Sequence, residues 1–399
     1  MKAEYFAVVF CLLFAGAYFT YVKRTTNWGT KESSIIINGN NFREEIKYSG
    51  VISFSEDETS FESISPGGYV NFSMNGDKVL VKSNEKGLIS YEIFKGSNKL
   101  SLDSSGKMLI REAVAEMIAR GINATARMER IYSKGGNQAL IQELDKLKSD
   151  EVKMMYVRHL VSSDSLSTDQ LTGLLKKLST VLDSDQDREA ILKKITPRQL
   201  RDSAIQVAYL AVVNGYEDEY SRAKGLQNLL LLGPVRQVQS QVISSMDAME
   251  DENEKSATLL LLIDRGQPDT AQTSQMLEAI GRFRDDMLKE KLLLHIIKKD
   301  SNLAGHFDTL LDITRHMGGE MQKESVYRDL AGSGNLSQGQ WISLIGQTAG
   351  FTGDAEKSGF LLELSSKMPK GEEMKTAYIK AAKNIQDDFQ YGRALRAIE

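Results

Sequence analysis

A chain of 399 residues exceeds a single ordinary core and so divides into at least two folded units. Its 41% hydrophobic and 26% charged residues exclude a disordered protein. A formal net charge of −4, with lysine and arginine interleaved among the acids, excludes the basic footprint that nucleic acid requires. The lone cysteine, Cys11, excludes a disulfide framework or a thiolate zinc site in the rest of the chain.

The apolar run "YFAVVFCLLFAGAYFTYV", Tyr5 to Val22, ends at Lys23 and Arg24. As a helix it would just cross a bilayer core, with Tyr5, Tyr18 and Tyr21 near the edges. The expectation is an N-terminal transmembrane helix over residues 1–24. A cleavable signal peptide is the rival, because Ala15-Gly16-Ala17 is an A-x-A site, but the missing positive n-region favours a retained anchor. Phe10 before Cys11 argues against lipoprotein cleavage. The expected location is a single-pass membrane protein with an extracytoplasmic, periplasmic body, although Lys23 and Arg24 would prefer the cytoplasm.

A polar linker, residues 25–34, leads into β texture. "IKYSGVISF" places Ile46, Tyr48, Ile52 and Phe54 on one face, the period-two mark of a half-buried strand. Asn75-Gly76 between two strand-like runs signals a hairpin, because both residues accept positive φ. A second turn is expected near Gly96-Ser97, and "SPGG", Ser65 to Gly68, is a tight turn. Residues 35–104 therefore read as a small antiparallel β domain of five to seven strands. From Gly106 the period becomes helical, with Gly121 and Gly135-Gly136 as stops, so residues 105–148 are connecting helices.

The remainder, 149–399, repeats. Acids recur at Asp150, Asp185, Glu219, Glu252, Asp286, Glu320, Asp354 and Asp388, at spacings of 35, 34, 33, 34, 34, 34 and 34. Seven residues beyond them stand Val157, Leu192, Leu226, Leu259, Leu293, Tyr327, Leu361 and Leu395. Ten beyond stand Leu160, Ile195, Leu229, Leu262, Ile296, Leu330, Leu364 and Ile398. All sixteen are apolar or aromatic, which marks the inward stripe of a first helix. Before each acid comes a residue type that suits an N-cap, such as Ser184, Asp218, Asp285 or Gly319. The acid itself meets the positive end of the helix dipole. A base follows three residues later in every copy except the last, which has Tyr391.

Four of the five prolines, Pro197, Pro234, Pro268 and Pro369, fall twelve to sixteen residues after an acid, where a turn between two helices must lie. Capping boxes at Ser167 with Gln170 and Ser337 with Gln340 mark the second helix in two other copies. The fold class is thus mainly α: an α-α solenoid of about 34-residue helix–turn–helix repeats, preceded by the β domain and the anchor. The eighth copy holds a single helix, expected to close the stack. The repeat length matches tetratricopeptide repeats, but their W-x₂-L-G-x₂-Y pattern is absent, and HEAT-type units are usually longer.

The segments "ISPGGYV" (Ile64 to Val70) and "RIYSKGGNQALIQELDKLKSDEVKMMYVRHL" (Arg130 to Leu160) resemble an uncharacterised bacterial module of membrane-anchored β-plus-helical-repeat proteins. Some of these are similar to soluble regions attached to membrane metallopeptidases of the β-lactam-sensor type. The resemblance covers residues 35 to 160 and implies a tethered accessory role. The peptidase part, with its H-E-x-x-H, is absent, so no catalytic residue carries over.

The chemistry-bearing residues form no familiar constellation. His159, His295, His306 and His316 lack metal-ligand spacing, and His295, between Leu294 and Ile296, reads as structural. "DSDQDREAILKK" (Asp183 to Lys194) imitates a calcium loop, but has Arg188 where glycine is needed and Lys194 where the bidentate acid belongs, so helix capping is expected. Ser83 to Lys86 and Ser104 to Lys107 match S-x-x-K without its partner motifs. "AGSGNLSQGQ" lacks the G-K-[ST] of a phosphate cradle. Glu44-Glu45 reads as solvated strand-edge charge, and Leu229 to Leu232 as core.

Two classes of function fit. One is a membrane-tethered protein-interaction scaffold or sensor-type accessory protein, binding a protein or peptide partner through the solenoid. The other is an enzyme with an unrecognised site in the β domain or at its junction with the helices. Repeat architecture and scarce His and Cys favour the first. No catalytic, cofactor or metal residue is assigned. The partner-binding residues are unassigned, with exposed positions on the second helices, where the copies differ most, expected to carry them.

Overall fold

The computed structural model describes residues 2–11, 18–27, 32–38, 43–162, 166–266, 268–300, 302–334 and 336–398, with backbone alone for 2–11, 18–27 and 235. The chain divides into two compact units, Met1–Asp164 and Ser165–Glu399.

In the first unit, β1 (Lys2–Cys11) and β2 (Tyr18–Asn27) pair antiparallel, with Cys11 opposite Tyr18. The sequence reading expected one helix here; its middle, residues 12–17, lies outside the described residues. A run that is apolar throughout has no period to separate helix from strand, and Val8, Val9 and the aromatic residues suit either. No described helix is long and apolar enough to cross a membrane.

The sheet continues through β3 (Glu32–Asn38), β4 (Arg43–Ser49), β7 (Tyr69–Met74), β8 (Asp77–Ser83), β9 (Ile89–Lys95) and β10 (Asn98–Leu100), each antiparallel to the last. A separate hairpin, β5 (Ile52–Phe54) with β6 (Phe61–Ile64), leaves and re-enters this meander. The β region thus holds eight strands from Glu32 to Leu100, not five to seven. Gly50, at φ +88°, splits "IKYSGVISF" into β4 and β5, a break that alternation alone does not reveal. Asn75 and Gly76, at φ +52° and +92°, make the expected two-residue turn between β7 and β8.

One sheet face is covered by α1 (Ser104–Ala119), whose Leu109, Ala113, Val114 and Met117 are buried against Ile46, Phe72, Val81 and Ile93. Glu44 shares the inward face with Ile46 and is only 2% exposed. Its carboxylate is 3.0 Å from Arg120 at the end of α1, so it is a buried ion pair and not solvated edge charge. Glu45, on the outward side, pairs with Lys47. After Gly121 come α2 (Ala124–Glu143), broken in its helical path at Gly136, and α3 (Asp150–Ser162).

The tip of the β5–β6 hairpin is held on α2 by charge. Arg127 grips both oxygens of Glu58 at 2.8 Å and reaches Glu143 at 2.7 Å, while Lys134 pairs with Glu56. Arg127 is 4% exposed, and the two carboxylates compensate its buried charge through Nε and Nη2, while Nη1 has no hydrogen-bond partner among the described residues. Burial opposes the Glu58 carboxylate, but hydrogen bonds and charge from Arg127 and Arg130 outweigh it and hold the group below its ordinary range.

The second unit is helical: α4 (Thr168–Val181), α5 (Asp185–Leu192), α6 (Ser203–Asn214), α7 (Glu219–Leu232), α8 (Gln239–Asp247), α9 (Glu252–Gly266), α10 (Thr270–Gly281), α11 (Asp286–Lys299), α12 (Leu303–Arg315), α13 (Glu320–Gly332), α14 (Gln338–Gly346), α15 (Asp354–Lys367), α16 (Glu372–Ala382) and α17 (Asp388–Arg396). Each recurrent acid is the first residue of its helix, from α3 to α17. From α5 onward each odd-numbered helix packs on the next odd one, and α4, α6, α8, α10 and α12 pack in succession. The stripe is buried: Leu226, Leu293 and Leu361 are 0% exposed, and Leu229, Leu262 and Leu330 equally so. Only in the last copy do Leu395 and Ile398 stay partly exposed.

The recurrent acid does more than meet a helix dipole. Asp185 accepts the backbone N–H groups of Glu217 and Asp218, at 2.8 and 3.1 Å. Glu219 does the same for Glu250 and Asp251, Glu252 for Arg284 and Asp285, Asp286 for Gly318 and Gly319, and Asp354 for Gln386 and Asp387. Glu320 accepts from Thr352 at 2.7 Å. Each carboxylate therefore ties its helix to the turn before the next odd-numbered helix. Hydrogen bonds to a charged acceptor are stronger than those between neutral groups, so these ties add to the dipole contact. The base three residues on closes an ion pair at Lys153, Arg188, Lys289 and Lys357. The capping boxes at Ser167 and Ser337 form, and Asp269 with Gln272 makes a third.

Candidate functional site

The odd-numbered helices of the second unit have similar lengths from α7 to α15, while the first and last, α5 and α17, have 8 and 9 residues. α7, α11 and α15 each have 14 residues and α9 has 15, whereas α5 stops after 8. Its proline explains part of this. Pro197 comes twelve residues after Asp185, but Pro234, Pro268 and Pro369 come fifteen, sixteen and fifteen after their acids. A proline ring clashes with the carbonyl four residues back and pushes the preceding residue out of helical geometry. α7, α9 and α15 each end two residues before their proline, whereas α5 ends five before Pro197, so the early proline accounts for about half of the shortening.

The missing turns leave a groove of about 450 Å³ beside α7. Leu192 and Gly225 line it together with Tyr209 from α6, Tyr216 from the turn before α7, and Tyr220, Lys224, Asn228 and Leu231 from α7. Its volume lies within the usual range for ligand sites. Leu231 is 46% exposed and Tyr220 58%. The expectation that Leu229 to Leu232 is all core holds for Leu229 and Leu230 and fails at Leu231, which stands twelve residues after its acid, a position that is also exposed at Asp264, Lys298, Gly332 and Ser366. Gly225 keeps the floor close: a Cβ there would come within 2.7 Å of Val213.

The polar groups of the wall are unevenly satisfied. The Tyr209 hydroxyl accepts from the Asn228 amide at 3.0 Å. Tyr216 is 1% exposed, and its hydroxyl has no hydrogen-bond partner among the described residues. Leaving such a group unpaired costs about 1–3 kcal/mol, which makes it a marker worth explaining. Burial pushes the Tyr216 phenol far above its ordinary range and raises Tyr209 to about 12, against the opposing hydrogen bond from Asn228. Glu189 is taken by Lys193 at 2.6 Å. The Lys224 ammonium lies 4.9 Å from the centre of the Tyr220 ring and 3.2 Å from the Gln227 amide oxygen.

Other hollows are less selective. One of about 750 Å³ at the ends of α11, α13 and α15 is lined by Lys298, Arg328, Asp329 and Lys367. Its cations are matched internally, Lys298 by Asp329 and both Arg328 and Lys367 by Glu363. In the β domain, Thr59, Ser60, Tyr91, Lys107 and Arg111 line about 300 Å³, the lower limit for a ligand site. Ser104, the serine of that S-x-x-K match, does not line it.

The histidines stay apart. His159 packs edge-on against Tyr132. His295 faces Asp264 at 3.6 Å, and His316 contacts the Asp312 carbonyl. His306 is buried with Nδ1 2.5 Å from Asp300 and Nε2 3.1 Å from the Thr270 carbonyl, so its ring joins α12 to the end of α11 and to the start of α10. No group of three metal-ligating side chains occurs among the described residues. The calcium-like stretch is α5 with Ser184 as its N-cap. The glycine-rich stretch connects α13 to α14, with residue 335 outside the described residues.

Groove residues Tyr216 and Tyr220 sit in "YEDEY", which sequence reasoning passed over as a turn and a helix start. The groove also draws mainly on α5 and α7, the first helices of their copies, and takes only Tyr209 from a second helix. The early proline was the available signal. No protein-family model matches this chain, and no curated protein matches it.

Proposed function

We propose that this chain is a protein-interaction scaffold. Its helical body is a solenoid of stacked two-helix units of about 34 residues, and the groove beside α5 receives a segment of a protein or peptide partner. The observation that carries the reading is the groove itself: at the end of the short α5, the exposed Leu231 and Tyr220 line a cavity of about 450 Å³ with an unpaired buried hydroxyl in its wall. Large apolar side chains beside a polar group are the residue types that anchor interfaces. The carboxylate ties between successive helices support the stacked reading, since they join each copy only to its neighbour. Membrane tethering by Tyr5 to Val22, with the body outside the cytoplasm, belongs to the proposal on the strength of the sequence alone.

The test is a photo-cross-linking residue at Tyr220 in the full chain, used in the cells that produce it. A discrete protein adduct that disappears when Leu231→Glu is added supports the reading. An adduct unchanged by Leu231→Glu, or no adduct, overturns it. Retention of the full chain in the membrane pellet after alkaline carbonate washing tests the tether separately.

A further inference from the structure

The groove has donors to spare and few acceptors. The Tyr216 hydroxyl has no partner. The one carboxylate in the lining, Glu189, is committed to Lys193. Lys224 has no carboxylate within ion-pair reach among the described residues; its ammonium rests on the face of Tyr220, as a cation does when nothing negative is offered. The lining therefore carries two ammonium groups against one carboxylate, arranged around exposed apolar surface from Leu231 and Tyr220. The space matches a short piece of chain. α5 is six residues shorter than α7, so the missing length is about 9 Å at 1.5 Å per residue.

From this we infer that the occupant is an acidic segment of a partner protein, carrying a carboxylate next to a large apolar side chain. This rests on the groove being the partner's seat, as proposed above. The apolar side chain covers the exposed Leu231 and the Tyr220 ring. The carboxylate draws the Lys224 ammonium off the Tyr220 ring into a charge-assisted contact. A basic segment would set its own cations against Lys193 and Lys224, and like charges across an interface exclude a partner.

The test uses the full chain and three fluorescent helical peptides with the same leucine face, differing only in whether the other face carries glutamate, glutamine or lysine. Binding is read by anisotropy at low and high salt. The glutamate peptide should bind tightest, by roughly two- to fivefold over its glutamine twin, the range expected of a partly exposed ion pair. That margin should shrink in high salt and vanish in Lys224→Met, while Leu231→Glu should weaken the glutamate peptide most. Equal or tighter binding of the lysine peptide overturns the inference, as does a margin that survives Lys224→Met. No binding by any of the three also overturns it. A Tyr220 adduct that still depends on Leu231 would then leave the groove as a partner seat of different chemistry.

Discussion

The Oδ2 atom of Asp286 accepts the backbone N–H groups of Gly318 and Gly319, at 2.6 and 2.9 Å, and Gly319 is the residue that caps α13. One side chain thus starts its own helix and fixes the start of the next odd-numbered one. Asp285, beside it, only caps α11 through Met287 and Leu288.

These two neighbours should therefore differ in value. Asp286→Ala removes two charge-assisted bonds and is expected to lower stability by about 2–4 kcal/mol. Asp285→Ala removes a cap and should lower it by about 0.5–2 kcal/mol. Urea unfolding of the two variants checks the order. A larger loss at Asp285 would mean that the tie between helices contributes little.

The two leucines Leu293 and Leu231 provide a second contrast. Leu293 is 0% exposed and Leu231 46%. Leu293→Ala should cost about 2–5 kcal/mol through lost burial and a residual cavity. Leu231→Ala should stay within about 0.5 kcal/mol of the parent, as surface substitutions usually do. A comparable loss at both positions would show that Leu231 is covered and the groove closed.

Tyr216 and Tyr209 line one wall but differ in satisfaction. Tyr216→Phe deletes a hydroxyl without a partner and is expected to be neutral, or stabilising by up to about 1–3 kcal/mol. Tyr209→Phe breaks the contact with Asn228 and should cost about 0.5–1.5 kcal/mol. Thermal unfolding of the pair decides it, and a net loss at Tyr216 exceeding that at Tyr209 would contradict the geometry.

Acid should loosen the second unit at its ties. For Glu252, burial works against the charged form, but the N–H groups of Arg284 and Asp285 outweigh it and hold the carboxyl below its ordinary 4.5. For Asp354, the N–H of Asp387 is the main cause of a value below the ordinary 3.8. A depressed folded value stabilises fully above the unfolded value and is lost as pH falls through the folded one. Hydrogen exchange at Asp285 and Asp387 should accordingly show protection at about pH 6 that erodes below about pH 4. Glu252→Gln should flatten that dependence at Asp285. Protection at Asp285 that is pH-independent and insensitive to this change would remove the carboxylate from the account.

Much of the helical body is legible in one dimension. Acids at a constant interval, apolar residues seven and ten positions on and capping residues just before them are local demands of a helix start and its buried face. The eight odd-numbered helices from α3 to α17 begin where those demands are met. The Asn75-Gly76 turn is equally local, because only residues that tolerate positive φ fit there. The apolar run from Tyr5 to Val22 was not decidable, since it lacks the periodic contrast that distinguishes a strand from a helix.

What tertiary structure alone decided is who meets whom. Glu44 looked like edge charge until β4 turned it inward onto Arg120. The recurrent acid looked like a dipole partner until the next odd-numbered helix brought two N–H groups to it from more than thirty residues away. Pro197 was visible as a proline a few positions early, which accounts for part of the shortening of α5. That Tyr209, Tyr216 and Tyr220 gather around an open groove at the end of α5 does not follow from any stretch of sequence. It depends on α7 lying alongside the place where α5 is missing, and packing between distant segments is information that local periodicity does not carry.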